Sequence, residues 1–190
     1  LDCRATVSGH SLNVYAVYST GATRYVIGCF TPNAFAMYGG SSVAYQSLAI
    51  GNSTDGVFTT GGQIEKTNAW GLRGAFNHNW DPYWSSSLFG SYAGVSYDAT
   101  SKGVICARIA VAPLAGGTCN PDFNVSQLGV VTRWTPVKNL TFSAEVQWFH
   151  LDQKFTGAAV FAAIGPKPAA VYEFKDQDTV SLNVRVQRNF

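Results

Sequence analysis

The chain has 190 residues, enough for one domain of ordinary size. Only 13% of them are charged, and the net charge of +2, with no Lys/Arg run, excludes an electrostatic nucleic-acid binder. Glycine (19) and aromatic residues (14%) are plentiful, mean hydropathy is close to zero, and no run approaches the ~18 consecutive apolar residues of a membrane helix. Residue 1 is Leu, and no charged stretch followed by an apolar run opens the sequence, which leaves a processed protein or a fragment as the two readings.

Residues 1–8 read as the tail of a strand, closed by a turn at SGHS. Leu12–Tyr18 then alternates Leu12, Val14, Ala16 and Tyr18 against Asn13 and Tyr15. After a long connection over residues 20–68, Ala69–Trp80 sets Trp70, Leu72, Phe76 and Trp80 against Arg73, Ala75, Asn77 and Asn79. Only DPY separates it from Trp84–Tyr97, which is strand-like but shows no clear pair of faces. A second long connection covers 98–123. In Asn124–Trp134, Leu128, Val130 and Trp134 oppose Gln127, Gly129 and Arg133, while Val125 and Val131 break the parity. The turn TPVKN leads into Leu140–Leu151, the clearest strand: Leu140, Phe142, Ala144, Val146 and Trp148 lie opposite Thr141, Ser143, Glu145 and Gln147. A third long connection, 152–175, precedes the ending VSLNVRVQRNF, where Val180, Leu182, Val184, Val186 and Phe190 share one face and Arg188 is the misfit. No segment sustains apolar spacing at three and four residues, so no helix is expected.

Short turns and long connections therefore alternate. Long structureless loops are uncommon in compact soluble domains but regular in a transmembrane β-barrel, with short turns on the periplasmic side and long loops outside. Trp80, Tyr83, Trp84 and Trp134 cluster at the short turns, and Phe190 ends a strand on the same side, as membrane-interface aromatics would. With the apolar parity facing lipid, Arg73, Arg133, Glu145 and Arg185 face inward as candidate pore-lining charges. The expected fold is all-β, an antiparallel up-and-down partial barrel of about six to seven strands. A soluble secreted β-sandwich acting as a binding module is the alternative, distinguished by an apolar face buried against a second sheet.

At this point the residues carry a resemblance. Trp70–Tyr92 (WGLRGAFNHNWDPYWSSSLFGSY), Thr132–Leu140 (TRWTPVKNL), Lys175–Phe190 (KDQDTVSLNVRVQRNF) and VYAVYSTGATRY at 14–25 together resemble the alphaproteobacterial outer-membrane porin family. The resemblance implies a homotrimeric channel in the bacterial outer membrane, built on a barrel of about sixteen antiparallel strands. It implies passive diffusion of small hydrophilic solutes and ions, contact with outer-membrane lipid, no cofactor and no nucleic-acid partner. It also implies an arginine-bearing wall facing an acidic loop, and a terminal strand ending in Phe190 that the barrel assembly machinery reads. Porins of this kind are about twice this length, so residues 1–190 read as the C-terminal part of a single barrel domain, expected not to close a pore alone. The constriction loop falls outside them.

Cys106 and Cys119 lie 13 residues apart in one long connection, and an oxidising export route favours a loop disulfide. Cys3 and Cys29 sit at opposite ends of a strand and find no evident pairing. No C-x-x-C spacing or paired His points to a metal site. His10, His78 and His150 are scattered, with no Gly-x-Ser-x-Gly elbow and no Ser–His–Asp set placeable from spacing, so an enzyme is not expected.

Overall fold

The structure, a computed structural model, describes residues 2–7, 9–28, 34–42, 46–109, 117–163, 165 and 167–190. In chain order the elements are β1 (Asp2–Val7), β2 (His10–Thr20), α1 (Arg24–Ile27), β3 (Ala34–Gly39), β4 (Gln46–Asn52), β5 (Gly56–Phe58), β6 (Ile64–Lys66), β7 (Asn68–Asn79) and β8 (Trp84–Ser96). They continue with α2 (Ala99–Ile109), β9 (Phe123–Val137), β10 (Leu140–Gln153), β11 (Ala158–Phe161), β12 (Ala170–Phe174) and β13 (Gln177–Arg188).

Seven strands form one antiparallel sheet in the order β1-β2-β7-β8-β9-β10-β13. These are the seven strands expected from the sequence; β2, β9, β10 and β13 extend beyond the expected segments at one or both ends, whereas β1, β7 and β8 keep nearly the expected bounds. The sheet is open, with β1 and β13 at its two edges. At one end the connections are tight. Asn139 adopts φ 68°, which its short polar side chain tolerates, and Gly9 adopts φ 78°. Asp81 Oδ1 accepts from the backbone N–H groups of Tyr83 (2.7 Å) and Trp84 (2.8 Å), which folds the β7–β8 turn.

Cross-strand register turns the alternation into two walls. Leu12, Phe76, Leu88, Val130, Val146 and Leu182 are successive partners across six strands, and Ala5 extends the row onto β1. All seven are exposed, Leu182 by 68%. One residue along each strand, on the opposite face, the partners are Thr6, Ser11, Asn77, Ser87, Val131, Glu145 and Asn183. The period of two places each polar row beside an apolar one but on the other side of the sheet. Val131, the misfit in the inner row, is buried. Arg133, two residues along the same face, donates to Ser87 Oγ, the cross-strand partner of Val131, at 2.6 Å.

The three long connections are not structureless, and two expectations are corrected here. Segment 21–67 carries α1 and β3–β6, segment 154–176 carries β11 and β12, and a four-stranded sheet in the order β11-β12-β4-β3 results. The segment between β8 and β9 contains α2, where no helix was expected. Asp98 Oδ1 accepts from the Ser101 N–H (2.9 Å) and the Lys102 N–H donates to Asp98 O (3.0 Å), capping the helix that the interrupted apolar spacing conceals. Lys102 Nζ pairs with Asp122 (2.5 Å) and Ile105 is buried in the core.

These connections pack on the inner face of the seven-stranded sheet, at the end opposite the tight turns. The core there joins inward-facing Ala69, Ala93, Val95, Phe123, Val125 and Leu151 to Ala49, Val57, Tyr97 and Ile105 from the connections. Gln153 Nε2 donates to Leu48 O (3.1 Å), and Gln177 Nε2 donates to Ser47 Oγ (2.7 Å), pinning β4 to β10 and β13. The parity defect at Val125 thus has a cause: near the long connections the inner face covers a folded segment and is apolar too.

Candidate functional site

The inner face is where polar chemistry collects. One row runs Tyr15, Arg73, Ser91, Gln127 and Phe149 across β2, β7, β8, β9 and β10. The next row toward the tight turns runs Asn13, Ala75, Phe89, Gly129 and Gln147. Val26 and Ile27 of α1 and Phe35 of β3 face these rows from the in-folded segment across a partly open cavity of about 650 Å³. Strand β9 is close-fitted here: a Cβ on Gly129 would lie 2.4 Å from Phe89 Cζ, so the bare glycine lets the ring lie against the sheet.

The four candidate pore-lining charges occupy three rows of the inner face. Arg73 borders the cavity with its guanidinium 5.5 Å from the Tyr15 ring centroid. Arg133 and Arg185 share a row with Ser143 between them, six residues along β9 from the Arg73 level, which is about 20 Å. Glu145 lies one inner row nearer the cavity than Arg133, and accepts from Asn183 Nδ2 (3.2 Å).

The outer face carries two aromatic borders. At the tight-turn end Trp80, Tyr83, Trp84, Trp134 and Phe190 are all exposed. Trp84 stacks on Trp134 with centroids 5.8 Å apart, Trp80 Nε1 donates to Ser86 Oγ (3.0 Å), and the Arg188 guanidinium lies 5.7 Å from the Phe190 ring. Arg188, the misfit of the terminal strand, is therefore at the border and not in the apolar band. The opposite border escaped sequence reasoning: Tyr18, Trp70, Tyr92 and Trp148 line it, with Tyr18 Oη donating to Asn68 Oδ1 (3.3 Å) and Trp148 Nε1 to Asp178 Oδ1 (2.9 Å). Their partners come from strands far apart in sequence, so register alone reveals them.

Register also brings Ser126, His150 and Asp178 into one outer row, a set not placeable from spacing. His150 Nδ1 lies 2.9 Å from Asp178 Oδ1, but Trp148 donates to the same oxygen and stacks on the imidazole, and Ser126 Oγ makes no hydrogen bond to it. The arrangement is a polar border of the band. No group of three or more His, Cys, Asp or Glu is placed to hold a metal among the described residues.

Cys106 and Cys119 are joined, Cα atoms 6.0 Å apart, tying α2 to the segment before β9. Cys3 is a free thiol on the outer face of β1, and Cys29 lies outside the described residues. Tyr97, just past β8, donates its phenol to Asn52 O and so clasps β4 to the sheet. Burial pushes this phenol up from 10.0 to about 12. The folded state thus keeps a proton that the unfolded chain releases, and the clasp's stabilisation, complete below pH 10.0, is lost as pH rises through about 12. Tyr97→Phe should abolish that alkaline loss; tyrosinate absorbance followed alongside proteolysis of segment 21–67 checks it.

No described helix is long and apolar enough to cross a membrane, a fact that does not bear on strands. Comparison with curated proteins and with solved structures returns no match. The family model of the porin subfamily matches residues 2–183, nearly the whole chain, and so the chain belongs to the porin family of channel-forming proteins.

Proposed function

We propose that the protein is an outer-membrane porin whose inner face lines a water-filled channel for passive diffusion of small hydrophilic solutes and ions. One observation carries this reading: an exposed row that is apolar on all seven strands, backed one residue away by a row that is polar on six. In water such a band would be a severe association hazard, whereas in a bilayer it meets hydrocarbon. The bordering Trp and Tyr residues suit the two headgroup levels. Among the described residues, strands β1 and β13 each have an unpaired edge, which supports residues 1–190 being the C-terminal part of a single barrel domain, since open edges in lipid cost several kcal/mol per unpaired group. A homotrimer in the full-length protein, and recognition of β13 with Phe190 by the barrel assembly machinery, belong to the same proposal. The tight turns then face the periplasm and the in-folded segments the exterior.

Arg73, Arg133 and Arg185 outnumber Glu145 on the inner face and favour anions. In the intact channel, the pair Arg73→Ala and Arg133→Ala should shift the reversal potential in a salt gradient toward cations, by an amount that shrinks as salt screens the wall. An unchanged potential in planar bilayers would remove these arginines from selectivity.

A further inference from the structure

We infer that the cavity under the in-folded segment is a binding compartment for small organic anions carrying a planar apolar ring, of the benzoate class. The inference rests on the channel reading above and adds a preferred solute to it.

Charge comes first. Among the described residues, Arg73 is the one charged residue lining the cavity, no carboxylate lines it, and Arg73 has no ion-pair partner. Its guanidinium is steadied over Tyr15 at 5.5 Å, which leaves a forked donor matched to a carboxylate. Gln127 stands two strands along the same row. Ser91 Oγ donates to Gln127 Oε1 (3.3 Å), so the amide NH2 of Gln127 remains available to a second acceptor. Gln147 offers another amide in the adjacent row.

The walls ask for a ring. Phe35, Phe89 and Phe149 line the cavity, and two of these rings are seated where a side chain is missing. Phe89 lies against Gly129 and Phe35 against Gly51, where a Cβ would come within 2.4 Å of each ring. Rings held this way give the cavity apolar walls, and Val26 and Ile27 line the side toward α1. A small hydrated inorganic anion gains nothing from such walls, and a cation is opposed by Arg73. A solute with an anionic head and a ring uses both halves, with its head at Arg73 and its ring among the phenylalanines.

The test uses the full-length channel in planar bilayers, with four probes added to the loop side: benzoate, acetate, benzyl alcohol and benzylammonium. Benzoate should interrupt the current at concentrations at least about tenfold lower than any of the other three, as a charge-assisted contact combined with a buried ring requires. Arg73→Gln should weaken the benzoate effect by about tenfold and leave benzyl alcohol unaffected. Phe149→Leu should weaken benzoate and leave acetate unaffected. Saturation-transfer NMR on benzoate with detergent-solubilised protein reads the same binding without relying on conductance. Channels with normal currents that respond equally to all four probes overturn the compartment and leave the channel reading standing. Absence of any channel current from correctly folded protein overturns the channel reading and the compartment with it.

Discussion

Replacing Val146 with arginine should destabilise the protein in a bilayer by about 2–4 kcal/mol, the cost of a guanidinium near the hydrocarbon midplane. Val146 sits in the outer row between Val130 and Leu182 and is 46% exposed. In a water-soluble protein a half-exposed valine is among the safest positions for an arginine, with an effect within about 0.5 kcal/mol. The two readings of that face therefore differ severalfold at one site. Asn183→Arg is the control. It stands on the inner face opposite Glu145, where water and a carboxylate receive the charge, and it should be nearly neutral. Leu88→Arg, in the same outer row two strands away, should repeat the Val146 result. Reversible urea unfolding in phospholipid vesicles measures all three. Equal, small effects at Val146 and Asn183 would mean that both faces meet water, and the membrane assignment would go.

How far this was legible in the sequence depended on the range of the interactions. The strands from Leu12, Ala69, Leu140 and Val180 were readable because a two-residue period is local, and a neighbour one bond away states which wall it belongs to. The tight turns were readable for the same reason: Asp81 and Asn139 act on backbone within three residues of themselves. The unclear faces of Trp84–Tyr97 had a non-local cause. Ala93 and Val95 are apolar on the inner face since α1, β4 and β5 pack over them, and that packing joins residues tens of positions apart. The parity failure at Val125 and the unclear faces around Val95 were in effect marks of the in-folded segment, readable only once the segment was seen. The candidate charges show the same division. That Arg73 and Arg133 face inward follows from parity, whereas their separation into two levels follows from cross-strand register, which no single strand encodes. Of the cavity residues most dependent on that register, Tyr15 and Gln127 were legible only as polar-face positions of their strands, and Phe35 and Phe89 were not singled out. Each belongs to a different strand, and Phe35 sits in a stretch that reads as plain loop.

Removing the Asp55 carboxylate should release the segment that roofs this cavity. Asp55 Oδ1 accepts from the Thr23 N–H (2.8 Å) and lies 2.8 Å from Thr23 Oγ1, which also reaches Ser53 O at 2.6 Å. Thr23 is fully buried, and it leads directly into α1. The Thr67 N–H donates to Asp55 O (3.1 Å) and the Gly21 N–H to Thr67 O (2.8 Å), so both ends of segment 21–67 meet at this knot. Asp55→Ala leaves the Thr23 amide buried without its acceptor, at a local cost of about 1–3 kcal/mol. The seven-stranded sheet should be untouched, since none of its ladder bonds pass through Asp55. The expected outcome is split: the unfolding midpoint of the sheet stays within error, segment 21–67 becomes a preferred site of proteolysis, and single-channel conductance of the full-length protein rises as the roof lifts. Asp55→Asn retains one acceptor oxygen and should restore most of the protection. Conductance that stays constant while the segment is cleaved would show that the roof does not narrow the path of ions, and would place the limiting constriction elsewhere along the inner wall.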